Sequence, residues 1–119
     1  MQKTSLTALA RHQLDIARQA PSGRSAETVY GGHERVLRQT MIALRAGSVL
    51  NEHVNPGEAT VYVLSGRVLL TSEAAEWDGS AGDLLPMPDA RHALKAEQDS
   101  VVVLTVAKRH QAAAQVPGQ

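Results

Sequence analysis

The sequence contains no cysteine and no phenylalanine, and its aromatic residues are limited to one tryptophan and two tyrosines. Without cysteine, disulfide bonds and thiolate metal ligands are excluded, so a bound metal would need histidine, carboxylate, amide or water ligands. So few aromatic side chains leave little surface on which nucleotide bases could stack. The core must therefore be built from valine, leucine, isoleucine and alanine.

The chain also lacks an excess of charge of either sign. Twelve basic residues balance twelve acidic residues, which gives a formal net charge of zero. Because nucleic-acid binding depends on basic surface that neutralises phosphates, no nucleic-acid partner is expected. No hydrophobic run approaches the ~20 residues needed to span a bilayer, and no secretory signal is visible, so we expect no membrane partner and a cytoplasmic location.

A chain of 119 residues has the size of one domain. Leucines at helical spacing predict a helix over residues 4–20, with Thr4 or Ser5 as its cap and Pro21 after its end. After the helix the sequence pattern changes to short β segments separated by glycine-rich turns. This pattern favours an all-β sandwich or barrel. The predicted parts are an N-terminal helix and linker (1–23), a β-domain (24–107) and a flexible C-terminal tail (108–119).

The β segments are identified by short apolar runs between turn residues. Two of these runs flank Gly66 and predict a β-hairpin with the glycine in its turn. A cluster of small and acidic residues over 78–83 predicts a further turn. The predicted strands cover residues 36–44, 61–64, 68–70, 93–96 and 101–106.

Two sequence motifs carry a resemblance to a known family. The first consists of a glycine, five residues, His, one residue, His, three or four residues, Glu, six residues and a glycine; its positions here are Gly47, His53, Asn55, Ala59 and Gly66. The second consists of a glycine, five residues, proline, one residue, glycine, two residues and His; Gly82 and Pro88 match it, Ala90 replaces the glycine, and His92 arrives one residue early. With these motifs the chain resembles the cupin superfamily over residues 43–106, about half of its length.

The resemblance implies an all-β fold, the double-stranded β-helix or jelly-roll-like barrel of the cupins, with the N-terminal helix packed outside. It also implies a homodimer, formed through an outer sheet or an exchanged N-terminal strand. In metal-binding cupins the motif positions hold three histidines and a glutamate around a divalent ion. Here Asn55 and Ala59 replace two of those ligands, which leaves His53 and His92.

Glu58 is the candidate that could restore a third ligand. Regular strand geometry turns it away from His53, but a bulge at residues 55–57 would reverse its facing. The predicted metal site is therefore His53, His92 and Glu58, and the metal is Fe, Mn, Ni or Zn. The alternative is a metal-free polar pocket in which the two histidines bond to each other, to Asn55 or to water.

The predicted ligand pocket combines polar and flexible side chains at one end of the barrel: His53, Asn55, His92, Met41 and Met87. We expect a protein that binds a small organic ligand there, with or without a divalent metal. One alternative is a metal-dependent dioxygenase or isomerase that uses His53 and His92. The other is a non-catalytic scaffold. The motifs leave open whether the protein is an enzyme.

Overall fold

The computed structural model describes residues 3–51, 57–88 and 90–108. In these residues an N-terminal helix, α1 (Leu6–Gln19), precedes nine strands. The strands are β1 (Arg24–Tyr30), β2 (Leu37–Leu44), β3 (Val49–Asn51), β4 (Gly57–Ser65), β5 (Arg67–Ser72), β6 (Glu76–Ser80), β7 (Leu84–Pro86), β8 (His92–Ala96) and β9 (Ser100–Lys108).

The strands form two antiparallel sheets that face each other. Sheet A has the order β1-β2-β9-β4-β7, and sheet B has the order β3-β8-β5-β6. Neighbours in the sheets are mostly distant in sequence, as in a jelly-roll-like barrel. The predicted fold class, an all-β double-stranded β-helix with an N-terminal helix, is confirmed.

Helix α1 begins and ends where the sequence predicts. The Ser5 hydroxyl accepts a hydrogen bond from the Ala8 N–H at 3.2 Å and caps the first turn. The helix ends at Gln19, just before Pro21, which lacks the N–H needed to continue it. In the part of the chain that the structure describes, no helix has the length and apolar character needed to cross a membrane.

The main core lies between the two sheets. Successive side chains in a strand point to opposite faces, so every second residue enters this core. Sheet A contributes Ile42, Leu44, Val61, Val63 and Val102; sheet B contributes Val68, Leu70, Leu94 and Ala96.

A second cluster lies between α1 and the outer face of sheet A. It contains Met41, Ala43, Val101 and Val103 from the sheet and Ala10 and Ala17 from the helix. Strands β2 and β9 are therefore buried on both faces, which explains why their apolar runs are continuous rather than alternating.

The predicted hairpin at Gly66 is wrong, although the turn itself is where expected. Gly66 has a φ of +86°, a conformation that favours glycine. However, β4 pairs with β9 and β7, whereas β5 pairs with β8 and β6. The turn carries the chain from one sheet to the other, because both flanking strands bury their apolar faces in the same inter-sheet core.

Other parts of the structure also differ from the sequence prediction, including the short strands β3 and β7, which were not predicted. The predicted turn at 78–83 is partly strand, since β6 continues to Ser80 through pairing with β5. Strand β1 was not predicted because most of its residues are exposed and show no apolar alternation. The predicted tail begins at Lys108, which is the last residue of β9, and residues 109–119 lie outside the described part of the chain.

Candidate functional site

His92 is the predicted site residue that the structure places most clearly. It is the first residue of β8 and pairs with Ser72, the last residue of β5. Leu94 and Ala96, two and four residues further on, belong to the inter-sheet core. His92 therefore faces inward at the end of sheet B, where it is only 4% exposed.

The hydrogen bond of His92 fixes which ring nitrogen carries a proton. Its Nδ1 lies 2.8 Å from the carbonyl oxygen of Ala90. Because a carbonyl can only accept, Nδ1 is the donor, and in the neutral ring Nε2 keeps its lone pair. Nε2 is buried and has no hydrogen-bond partner among the described residues. An unsatisfied buried polar atom costs about 1–3 kcal/mol, so this nitrogen is suited to a donor or a metal ion from outside.

His92 lines an open depression of about 450 Å³ at this end of sheet B. A volume of this size lies in the range typical of small-molecule sites. The other lining residues are mostly polar: Asn51, Thr71, Ser72, Glu73, Arg91 and Ala93. The depression therefore combines hydroxyl, amide and charged groups at the end of sheet B, with the buried His92 as one of its lining residues.

The two methionines predicted for the pocket lie on different faces of sheet A. Met87 packs against the inter-sheet core, and its N–H donates to the Ala59 carbonyl at 2.9 Å. Met41 is fully buried in the helix-side cluster instead. Its neighbour Ile42 faces the inter-sheet core, so strand alternation turns Met41 the other way, toward α1.

Glu58 does not join His92. From Gly57 to Val63 the pairing of β4 with β9 runs without a register shift. Ala59 is buried and shares a face with the core residue Val61, so Glu58 points to the outer face, where it is exposed. The inward turn expected from a bulge is thus not found at this residue. The other two predicted residues, His53 and Asn55, lie outside the described part of the chain.

These positions bear on the predicted metal site. Within residues 3–51, 57–88 and 90–108, no group of three or more histidine or acidic side chains could hold a metal ion. His92 nevertheless has the geometry of a ligand, because metal-binding histidines usually donate their other ring N–H to a carbonyl or carboxylate. Of the described residues, His92 fits the group that the resemblance implies, and Glu58 does not.

Sequence reasoning missed the polar residues around His92. Thr71, Ser72 and Glu73 belong to the end of β5 and the turn after it. The predicted hairpin paired β5 with β4. In the structure β5 pairs with β8 instead, and this pairing brings Ser72 beside His92. The usable signal was the change from apolar Leu69-Leu70 to Thr71-Ser72 at a strand end.

Comparison with solved structures gives the fold a family context. A conserved protein of unknown function from Streptococcus pyogenes, SPY1581, is 26% identical with a TM-score of 0.68, over 76% of this chain and 79% of that one. A cupin superfamily protein from Desulfitobacterium hafniense is 15% identical with a TM-score of 0.65, over 72% and 78%. An RmlC-like cupin from Desulfovibrio desulfuricans is 24% identical with a TM-score of 0.60, over 71% and 81%.

No family model and no curated protein matches the sequence. The relation is structural instead, and it extends over about three quarters of the chain. Two of the three neighbours described above are named as cupins. The sequence motifs and the architecture thus agree, and this chain has the fold of these cupins.

Proposed function

We propose that this protein binds a small organic molecule in the depression beside His92. The observation that carries the proposal is the Nε2 atom of His92, which is buried and has no partner in the described part of the chain, in a residue that also lines the depression. A bound ligand that donates a hydrogen bond to Nε2 would remove the penalty of this unsatisfied atom.

The surroundings of His92 suit a polar ligand. The hydroxyls of Thr71 and Ser72 and the amide of Asn51 can both donate and accept hydrogen bonds. Below this rim, Leu70 and Leu94 are fully buried in the inter-sheet core. The ligand would therefore sit on the end of the sandwich rather than deep between the sheets.

A second candidate function involves a divalent metal, Fe, Mn, Ni or Zn. It is favoured by the bond from Nδ1 of His92 to the Ala90 carbonyl, which orients the ring as in metal sites. In this case His92 would hold the metal together with His53. A bound metal would supply Lewis-acid chemistry, polarising an oxygen of the substrate or activating water.

We also propose that two copies of the chain associate through the outer face of sheet A. The support is an apolar pair beyond the area covered by α1. Tyr62 and Leu84 are cross-strand partners that face outward, and these residues are 37% and 59% exposed. Exposed apolar side chains in adjacent positions are typical of interaction surfaces.

The ligand proposal is tested by screening a library of metabolites for thermal stabilisation of the untagged protein. We expect stabilising compounds whose effect is lost in His92→Ala and kept in His12→Ala, since His12 is an exposed histidine on α1. His92→Gln provides a second variant of more similar volume. Equal stabilisation of the wild type and both His92 variants by every compound would refute the proposal.

The metal candidate is tested in parallel by elemental analysis after loading with each of the four metals. Stoichiometric metal in the wild type and in His12→Ala, but not in His92→Ala, would support it. Metal content that is unchanged in His92→Ala would exclude His92 as a ligand.

A further inference from the structure

We infer that Ser72 and His92 act as nucleophile and general base, and that the protein transfers acyl groups from small esters to water. This activity would use the proposed binding site and so rests on the proposed function, to which it adds a reaction. The two residues carry complementary unpaired groups, the hydroxyl hydrogen of Ser72 and the Nε2 lone pair of His92. Both residues line the depression at the end of sheet B.

Ser72 and His92 point to the same side of sheet B. Leu70 and Leu94 are cross-strand partners in the inter-sheet core, two residues before Ser72 on β5 and two residues after His92 on β8. Every second residue of a strand points to the same face, and Ser72 pairs directly with His92. Both side chains therefore face the interior, at the end of the sheet.

The backbone pairing also brings the two side chains close. The Ser72 N–H donates to the carbonyl of Ala75 at 2.9 Å, on the β6 side, so it points away from β8. In an antiparallel ladder this makes Ser72 and His92 a non-hydrogen-bonded pair, the narrow type in which the Cα atoms lie about 4.5 Å apart. Side chains on one face of such a pair are direct neighbours.

The hydroxyl of Ser72 has a free hydrogen. Its oxygen accepts a hydrogen bond from the Ala74 N–H at 3.4 Å, but its hydrogen has no acceptor among the described residues. Nε2 of His92 is buried and lacks a donor there. A rotation of the Ser72 side chain between its staggered positions can direct the hydroxyl at the imidazole, since catalytic hydrogen bonds often form fully only when substrate is bound.

A general base must be held in the correct tautomer, and a backbone carbonyl does this for His92. Nδ1 donates to the Ala90 carbonyl at 2.8 Å, so Nε2 is the nitrogen that accepts a proton. When Nε2 takes the proton, the ring becomes positively charged and the bond to the carbonyl is strengthened. The Ala90 carbonyl thus serves as the third group that orients the base of an activated serine.

The reaction has two halves. In the first, Nε2 takes the Ser72 proton while Oγ forms a bond to the carbonyl carbon of the ester. The bond from that carbon to the alcohol oxygen then breaks, and the imidazolium gives its proton to the leaving oxygen. In the second half, water gives a proton to Nε2 and its oxygen bonds to the acyl carbon. Oγ leaves with that proton, so the products are an acid and an alcohol. The depression of about 450 Å³ restricts the substrate to small esters.

The experiment is covalent labelling of the untagged protein with a fluorophosphonate, followed by mass spectrometry of its peptides. An activated serine forms a bond from Oγ to phosphorus, fluoride leaves, and the label stays on the serine. We expect label on Ser72 in the wild type and none at this position in Ser72→Ala. His92→Gln should be labelled at least about a hundredfold more slowly, the contribution typical of a general base.

The matched control is Ser80→Ala, which removes an exposed serine at the opposite end of sheet B, where Ser80 pairs with Arg67. It should be labelled on Ser72 at the wild-type rate. Circular dichroism verifies that each variant is folded. Absence of label on Ser72 in the wild type, or an equal labelling rate in folded His92→Gln, would overturn the inference.

Chemical rescue separates a base from a structural residue. Imidazole in the buffer should restore labelling of Ser72 in His92→Ala, because a free base can replace the missing ring. The wild type should also release p-nitrophenol from p-nitrophenyl acetate with a stoichiometric burst that Ser72→Ala lacks. A burst of the same size in Ser72→Ala would contradict the assignment of the nucleophile.

The two proposals fail in different ways. If Ser72 takes no label but small molecules stabilise the wild type and not His92→Ala, the acyl-transfer inference is wrong and the binding function stands. If no compound of any class depends on His92, the binding function itself is wrong.

Discussion

Replacing Gly66 by alanine should destabilise the protein strongly, because two separate penalties coincide there. The first is conformational: φ is +86°, where a side chain is strained. The second is steric: a Cβ atom at Gly66 would lie 2.7 Å from the Cα of Ser100 and would also overlap the Ser100 hydroxyl and the Asp99 carbonyl oxygen. Two of these three atoms belong to the backbone at the start of β9 and just before it, and they cannot rotate away.

The magnitude follows from the contacts of Ser100. Positive-φ strain in a residue with a side chain costs about 1–3 kcal/mol. The Ser100 hydroxyl is buried and holds the start of β5 by accepting from the Arg67 N–H at 3.0 Å. Its single hydrogen is shared between the carbonyl oxygens of Gln98, at 2.7 Å, and Arg67, at 3.1 Å. Displacing it adds about 1–3 kcal/mol for a broken buried hydrogen bond. We expect a total of roughly 2–6 kcal/mol, a large part of the stability of a typical domain.

Gly82→Ala is the matched control, since Gly82 has a φ of +96° but nothing within 4 Å of its added Cβ. It should show the conformational penalty alone, about 1–3 kcal/mol. Urea unfolding followed by circular dichroism measures both variants. If Gly66→Ala and Gly82→Ala lose the same stability, crowding by Ser100 contributes nothing and the reasoning is refuted.

Two further predictions concern Asp99 and Leu84. The Arg18 guanidinium, at 2.8 Å, and the Ala46 N–H, also at 2.8 Å, hold the pKa of Asp99 below its ordinary value. A lowered carboxyl pKa stabilises the folded state above the unfolded pKa, and this contribution disappears as pH falls through the folded pKa. Asp99→Asn should therefore lower the urea midpoint at neutral pH and flatten its acid dependence, while an unchanged acid dependence would contradict this. Leu84→Lys should shift the mass measured by light scattering from dimer to monomer. Val36→Lys, at another exposed apolar position, is the control. A mass unaffected by Leu84→Lys would contradict the proposed interface.

The sequence predicts the fold well because its strongest signals are local. Helical leucine spacing, the Ser5 cap and the turn at Gly66 depend on neighbouring residues, and all three are found in the structure. Strand pairing depends on distant residues, and there the predicted hairpin failed. Edge strand β1 carries no apolar pattern, so its pairing with β2 could not be predicted from its own residues.

The candidate site was only partly predictable for the same reason. The inward position of His92 follows from its place in a motif and from strand alternation. The polar residues that line the depression with His92 come from the turn after β5 and the end of β3. These segments lie near β8 only because β3 and β5 pair with it in the sheet. The burial of Met41 also depends on an element elsewhere in the chain. Helix α1 covers the outer side of sheet A, so Met41 is buried on a face that would otherwise be exposed to solvent.

The bond between His92 and Ala90 has a consequence for how specificity could change in evolution. It anchors the imidazole through main-chain atoms, so the ring orientation does not depend on which side chains surround it. Thr71, Glu73 and Arg91 stand on the last residues of strands or just beyond them, above the tightly packed Leu70 and Leu94. Substitutions at these rim positions can change the polarity and charge of the depression without disturbing either the ring or the packed interior.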